Sequence, residues 1–331
     1  MTVGHAFWPD QLTDVERSLL QPGIPENLPR EPDVLVVGGG IVGCATAAAC
    51  VQAGLGTVVL LERDHFGAGA SGGAAGLLLP EAHVDTDAPE FVSFMRSSLQ
   101  AWRDLEASWP GGLGLLPLDY DGIEQARLNP VRAIARLAGG LPYVATGIDV
   151  MDITPAATGE VMTSDGTFTP RNVVFATGMP PTMTRLPADE VKGHMLVSAP
   201  TELRLPVELT DLARQIEDGR ILMGGTLDIG DHEGVVRPEV ADSMWRDLVL
   251  AWPPARDIFV EYRWACFRPV HPDKLPVIDR LPGHANVWIT TGHYKTGILV
   301  AARTGRALAE WIATGSPPDD VLPFNAQRLT L

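Results

Sequence analysis

The chain has 331 residues, 45% hydrophobic and 20% charged, the balance of a globular protein long enough for two packed domains. Its formal net charge of −16 repels phosphate backbones and anionic membrane surfaces, which argues against a nucleic-acid or membrane partner. Three cysteines (Cys44, Cys50 and Cys266) without a CxxC pair suggest neither a disulfide framework nor a zinc site, and they fit a reducing cytoplasm.

From the N-terminus, residues 1–32 are rich in proline (Pro9, Pro22, Pro25, Pro29, Pro32) and read as an extension on the surface, with one short helix over 13–20. Asp10, Asp14 and Glu16 stand where a signal peptide needs a basic start and an apolar core. No apolar run reaches the roughly 18–20 residues that cross a bilayer, so a soluble protein is expected. The run from Asp33 to Val37 leads into Gly38-Gly39-Gly40 and predicts a buried strand and a tight turn. An alanine-rich helix follows over 41–53, closed by Gly54 and Gly56, and then a second buried strand over 57–61. Strand, glycine turn, helix and strand within about 30 residues form a βαβ unit.

Downstream, apolar spacing such as Phe91, Met95, Leu99 and Trp102 predicts helices over 88–108, 129–138, 239–251 and 297–314. Strands are predicted over 144–153, 160–163, 167–169, 172–176, 196–199, 221–225 and 258–268. The pattern implies an α/β protein. A Rossmann-like, discontinuous nucleotide-binding domain is expected from 33–90, 128–190 and 269–331. A smaller α+β substrate domain with an antiparallel sheet is expected from 91–127 and 191–268.

Gly38-x-Gly40-x-x-Gly43 follows a strand and opens a helix, the context a dinucleotide fingerprint requires. Gly38 makes the turn, Gly40 lets the backbone approach a pyrophosphate, and Gly43 lets the helix pack on the strand. The pyrophosphate then meets the unpaired N–H groups and positive dipole end of the helix. Glu62 closes the second strand at the spacing expected of a carboxylate that grips ribose hydroxyls. After it, Arg63 to Leu77 is a long small-residue loop able to bring backbone near a flat ligand, where a nicotinamide dehydrogenase usually enters another helix. Val173 to Gly178 is a strand ending in a second glycine turn at Thr177-Gly178.

Three further blocks carry a resemblance. Ala70-Ser71-Gly72-Gly73-Ala74-Ala75-Gly76-Leu77, Cys266-Phe267-Arg268-Pro269-Val270-His271-Pro272 with its continuation to Ile278, and Gly292-His293-Tyr294-Lys295-Thr296-Gly297-Ile298-Leu299 stand in this order. They resemble the flavin-contacting segments of the FAD-dependent glycine oxidase and D-amino-acid oxidase family, and the likeness runs from about Pro32 to the C-terminus. The resemblance implies FAD as cofactor. It places FAD against Gly38, Gly40, Ile41, Val42, Gly43, Glu62, Arg63, Ala70, Ser71, Ala75, Gly76 and Leu77. It adds Val150, Thr177, Gly178, Gly292, His293, Tyr294, Lys295, Thr296, Gly297, Ile298 and Leu299.

The same likeness assigns catalysis to Arg268, Lys295 and Tyr294. Arg268, at the end of an aromatic strand (Tyr262, Trp264, Phe267), can take a carboxylate through two parallel hydrogen bonds, as a lysine cannot. In the family the arginine at this place holds the substrate carboxylate; a surface ion pair is the competing reading. Lys295 can share the carboxylate, place positive charge near the flavin, or be a solvated loop residue. The helix start at Thr296-Gly297 favours negative charge nearby. His194 is read as structural. Cys266 stands where sarcosine oxidase-like relatives bond the flavin covalently, but the following Arg-Pro marks the glycine oxidase-like members, so a packed thiol is expected.

No metal-ligand spacing is found among the eight histidines. The implied partners are a small carboxylate-bearing amine and O2; whether copies assemble into a homo-oligomer is left open by the sequence. The implied reaction cleaves the C–N bond of glycine or an N-substituted glycine to give glyoxylate, an amine and hydrogen peroxide. Relatives carry several tens more residues between Pro80 and Asn129. The shorter region here favours a wider mouth and an apolar N-substituent, as in oxidases of macrolactam antibiotic pathways that trim an N-carboxymethyl β-amino acid. D-amino-acid or sarcosine-type oxidation, a flavin dehydrogenase using another acceptor, and a flavin-binding protein without turnover are the alternatives. A tRNA-modifying relative is disfavoured by the acidic charge.

Overall fold

All four side chains of the strand Val34–Val37 are buried, as a strand covered on both faces requires. This is a computed structural model, and it describes residues 2–153, 160–206, 212–216 and 218–329. Two compact units divide the chain. One comprises Met1–Gln11, Gly73–Ala75 and Glu190–Arg268, the other Leu12–Gly72, Gly76–Asp189 and Pro269–Leu331.

The larger unit is built on a six-stranded sheet in the order Val277–Arg280, Val287–Thr291, Asn172–Gly178, Val34–Val37, Val58–Glu62, Val144–Thr146. All neighbours are parallel except Val277–Arg280, which runs antiparallel to Val287–Thr291. Val34–Val37 thus has Val58–Glu62 on one side and Asn172–Gly178 on the other, which makes the carboxyl end of this first strand a switch point where ligands bind in such sheets. Leu35, Val59, Val173, Val287 and Ile289 pack beneath it with Ala145 and Phe168.

The helix Ile41–Gln52 is buried almost all round, which its alanines permit. A Cβ at Gly305, in the helix Gly297–Thr314, would lie 2.7 Å from the Ala45 carbonyl, so only glycine allows these helices to approach this closely. Two three-stranded antiparallel sheets complete the unit: Gly166–Phe168, Val161–Thr163, Val150–Ile153, and Leu77–Leu78, Ile123–Arg127, Leu116–Tyr120.

The smaller unit holds a five-stranded sheet in the order Thr2–Val3, Val260–Val270, Asp189–Ser198, Ile221–Gly224, Arg214–Gln215. The helix Pro238–Ala251 covers a core of Leu196, Ile221, Met223, Ala241, Leu248 and Val260.

Several expectations are corrected. The proline-rich N-terminus is not a surface extension. Thr2–Val3 pairs in parallel with Tyr262 and Arg263, Phe7 and Trp8 are buried, and Trp8 Nε1 donates to Ala74 O at 2.7 Å. The apolar side chains between the prolines outweigh them. From Leu12 onward the segment belongs to the larger unit, where a capping box at Thr13 opens the helix Asp14–Ser18 and buried Glu16 meets Arg132 and Arg136.

Residues 91–127 also fall in the larger unit rather than with the substrate domain. The helix Pro89–Ser108 is tied there by Trp102, whose Nε1 donates to Ile298 O and Leu299 O at 3.0 and 3.1 Å. The expected strand over 144–153 is broken at Gly147, whose φ of +82° turns the chain. The loop after Arg63 contains a short helix, Ala70–Gly73. The strands Val277–Arg280 and Val287–Thr291 and the hairpin Leu116–Arg127 were not legible from spacing.

Candidate active site

In the larger unit the glycine turn is shaped by contacts that no side chain could share. A Cβ on Gly38, whose φ is +113°, would lie 2.4 Å from Ala176 O, and one on Gly43 would lie 1.8 Å from Gly38 O. Gly40 is extended and caps the helix Ile41–Gln52 without a side-chain bond. A helix begins with four N–H groups that lack internal acceptors. Ile41 N–H is taken by Ser71 Oγ at 3.1 Å, while none of the described residues accepts from Gly40, Val42 or Gly43 N–H. Glu62 accepts from Gly39 N–H at 2.6 Å through Oε2 and from Asp64 N–H at 2.9 Å through Oε1. Turn, helix start, Ser71 and Glu62 therefore form one cluster of open donors beside a fixed carboxylate, an arrangement suited to a pyrophosphate and a hydroxylated sugar.

The remaining assigned residues of this unit are spread around it. Arg63 is exposed and pairs with Asp64 at 3.3 Å. Ala70 lies in the short helix with Ser71. Gly76 (φ +72°) packs on Leu128 O, and Leu77 opens the strand that pairs with Arg127. Val150 sits in a separate sheet, half-buried against the core around Val161 and Phe168.

Thr177 and Gly178 end their strand, and Gly178 O accepts from Gly292 N–H at 2.9 Å. That bond fixes the segment Gly292 to Thr296, which feeds Gly297, Ile298 and Leu299 into the last helix. Tyr294 holds a left-handed φ of +46°, rare for a side chain of this size, with its N–H on Pro269 O at 2.8 Å. Lys295 is exposed, its Nζ 5.3 Å from the Tyr294 ring centre.

Two buried histidines support this segment. His271 Nδ1 must donate to Pro187 O at 2.7 Å, which leaves Nε2 as acceptor for Thr291 Oγ1 at 3.2 Å. Gly292 lies flat on that ring, where a Cβ would be 2.1 Å from Cδ2. His293 contacts Thr290 Oγ1 at 3.1 Å; burial, reinforced by His271, pushes its pKa down to about 3, so it is neutral.

In the smaller unit, half-buried Arg268 donates through Nη1 to Thr226 O at 2.9 Å. No carboxylate pairs with it among the described residues, and Nε and Nη2 have no protein acceptor there. Ala75 belongs to this unit as well. Cys266 Sγ donates to Gly73 O at 3.4 Å, and burial raises its pKa, with Arg268 opposing; it is a packed thiol. His194 is fully buried between Asp228 and Arg237 N–H, as a structural histidine would be. Among the described residues no group of three His, Cys, Asp or Glu could hold a metal ion, and no helix is long and apolar enough to cross a membrane.

The family model described as FAD dependent oxidoreductase, DAO, matches residues 33–142 and 125–311. The chain belongs to the DAO family of FAD-dependent oxidoreductases. Glycine oxidase of Bacillus licheniformis is 26% identical over 364 residues, covering 89% of this chain and 97% of that protein. Glycine oxidase of Pseudomonas putida is 27% identical over 173 residues, a match that spans about half the length of each (50% and 47%). The crystal structure of glycine oxidase from Geobacillus kaustophilus superposes with a TM-score of 0.78 at 20% identity, covering 90% of this chain and 99% of that one; it shows the shared fold.

The cofactor of this DAO chain is FAD, and the cluster at the glycine turn fits it. The open N–H groups of Gly40, Val42 and Gly43 suit a pyrophosphate, and the Glu62 carboxylate, fixed beside the turn by Gly39 N–H, suits a sugar hydroxyl. Sequence reasoning assigned no role to Thr226, Gly193 or the two ring contacts of His271. Only the histidine had a visible signal, in the block that follows Arg268.

Proposed function

We propose that the chain is an oxidase of small carboxylate-bearing amines, preferring N-substituted glycines. The observation that carries this reading is Arg268: half-buried, held at one nitrogen by a carbonyl, and without an acidic partner among the described residues. A guanidinium so placed is poised for an incoming carboxylate.

The net reaction consumes R–NH–CH2–COO⁻, O2 and water and yields R–NH2, glyoxylate and hydrogen peroxide. FAD, when bound, supplies the two-electron acceptor for the C–H bond beside nitrogen. The protein's part is to bind and orient. Gly40, Ile41, Val42, Gly43, Glu62 and Ser71 hold the cofactor's pyrophosphate and ribose side. The Gly292–Leu299 segment, with Tyr294 and Lys295, presents backbone N–H groups and a positive charge to the reacting end. Arg268 fixes the carboxylate and with it the direction of the C–H bond. The segment that begins at Thr226, whose carbonyl holds Arg268, carries the exposed apolar side chains Leu227, Ile229 and Val235 (42%, 79% and 53%). Such side chains would favour an apolar N-substituent over bare glycine.

Anaerobic mixing with glycine, sarcosine, D-amino acids and N-alkylglycines, followed by flavin absorbance, tests the reading. Bleaching by N-alkylglycines, then peroxide and glyoxylate when air is admitted, is expected. Bleaching that is reversed by a dye but not by oxygen would make the protein a dehydrogenase. Bleaching by none of the panel would overturn the proposal.

A further inference from the structure

The strand Asp189–Ser198 carries Lys192, Gly193 and His194 in sequence, and alternation along a strand sends Lys192 and His194 to one face and Gly193 to the other. On the glycine's face lies Arg268. A Cβ at Gly193 would stand 2.1 Å from Nη1, so the backbone lies flat against the guanidinium. On the opposite face, two fully buried polar side chains grip the segment from Thr226 to Arg237.

His194 does so from both ring nitrogens. The Arg237 backbone N–H can only donate, so Nε2, at 2.9 Å, is the acceptor; Nδ1 then carries the proton and donates to Asp228 Oδ2 at 2.9 Å. Thr226 Oγ1 accepts from His194 N–H at 2.7 Å and donates to Asp228 Oδ2 at 3.0 Å. Lys192 adds a second tie: its Nζ meets Asp231 at 2.9 Å, its carbonyl takes Asp228 N–H at 2.9 Å, and Asp231 also holds Arg237. The segment is thereby fixed at its start, middle and end, and its start is Thr226, whose carbonyl holds Arg268 at 2.9 Å.

We infer that Lys192, Gly193 and His194 form the positioning element of the carboxylate clamp, setting where the guanidinium presents its unpaired N–H groups. This rests on the proposal that Arg268 is that clamp. Sequence reasoning would leave His194 as a core residue. The geometry gives it a specific downstream consequence, because removing its ring frees Asp228 and the Arg237 end of the segment whose start, Thr226, fixes Arg268, while leaving the FAD cluster in the larger unit untouched.

The test uses FAD-loaded full-length protein and two readouts: KM against kcat for the amine substrate that bleaches fastest, and glycolate binding followed by the flavin absorbance change. His194→Leu should raise KM and the glycolate Kd and lower kcat/KM by roughly 10- to 100-fold, the scale of a positioning group displaced by about an ångström, with FAD content unchanged. His194→Gln, which keeps an acceptor and a donor, should restore both. Gly193→Ala should give the same KM increase in a stably folded protein, since the displaced atom is the tip of a flexible side chain; it covers the case in which His194→Leu does not fold. The double variant His194→Leu/Arg268→Ala should bind glycolate no worse than Arg268→Ala alone. Additive losses, or parallel falls in kcat and FAD content, would reduce His194 to a fold-stabilising residue and overturn the inference. If Arg268→Ala alone binds glycolate normally, the clamp reading itself fails.

Discussion

Replacing Gly43 by alanine should weaken FAD binding while leaving the protein folded. The added Cβ would lie 1.8 Å from the Gly38 carbonyl oxygen, and real Cβ atoms essentially never approach within 3.0 Å. The helix start and the turn must therefore separate by more than an ångström, and both are backbone, so no rotamer change can absorb it. Overpacking of this kind costs about 1–3 kcal/mol. If all of it falls on the bound state, FAD affinity drops roughly 5- to 150-fold. The open N–H groups of Val42 and Gly43 move with the helix, which places the loss at the pyrophosphate. The assay is titration of the apoprotein with FAD by fluorescence quenching, with urea unfolding of the apoprotein in parallel. Gly54→Ala is the control: with φ at +68° and nothing within 4 Å, it strains the backbone without crowding anything. It should cost about 1 kcal/mol of stability and no FAD affinity. A Gly43→Ala protein that binds FAD as the parent does would refute the reading of the turn as the cofactor cradle.

Arg268→Ala should lower kcat/KM for carboxylate amines by roughly 30- to several-thousand-fold, the equivalent of about 2–5 kcal/mol, with normal FAD content. Unchanged efficiency in steady-state assays would remove Arg268 from the site. Lengthening the N-substituent of glycine should raise kcat/KM, each buried methylene contributing about 0.8 kcal/mol, and a flat series from sarcosine to a long N-alkylglycine would dismiss the apolar side chains of Leu227, Ile229 and Val235. Acid should destabilise the protein through its buried histidines. His293 is held near 3 in the fold against 6.5 unfolded, and His271 is lowered by burial in the same direction. The unfolded chain therefore binds the extra proton between those values. Stability is full above pH 6.5 and falls by about 1.4 kcal/mol per pH unit on account of His293 as pH drops toward 3, with His271 adding to the loss in the same direction. Urea melts across that window should show the slope, and His293→Gln should flatten it.

Much of the cofactor side of this protein was decided locally. Asp33 to Glu62 contains its own strand, turn, helix and strand, and the glycines at 38 and 43 are required by contacts within that stretch or with its neighbour at Ala176. Hydrophobic period and glycine spacing report such features directly, because the residues that need each other are close in sequence. The last helix, Gly297–Thr314, was equally plain from its apolar stripe.

What needed the tertiary structure is whatever joins distant segments. Nothing in Thr2 and Val3 announces a strand, since they become one only by pairing with Tyr262 and Arg263. The helix Pro89–Ser108 shows the right period but not its unit, which is set by Trp102 reaching carbonyls at Ile298 and Leu299. Lys192-Gly193-His194 looks like an ordinary strand segment with one awkward glycine and two buried polar residues. Its sense appears only when the fold brings Thr226, Asp228, Asp231 and Arg237 against one face and Arg268 against the other. A buried polar group must find a partner, but sequence alone cannot say which; chain topology chooses it.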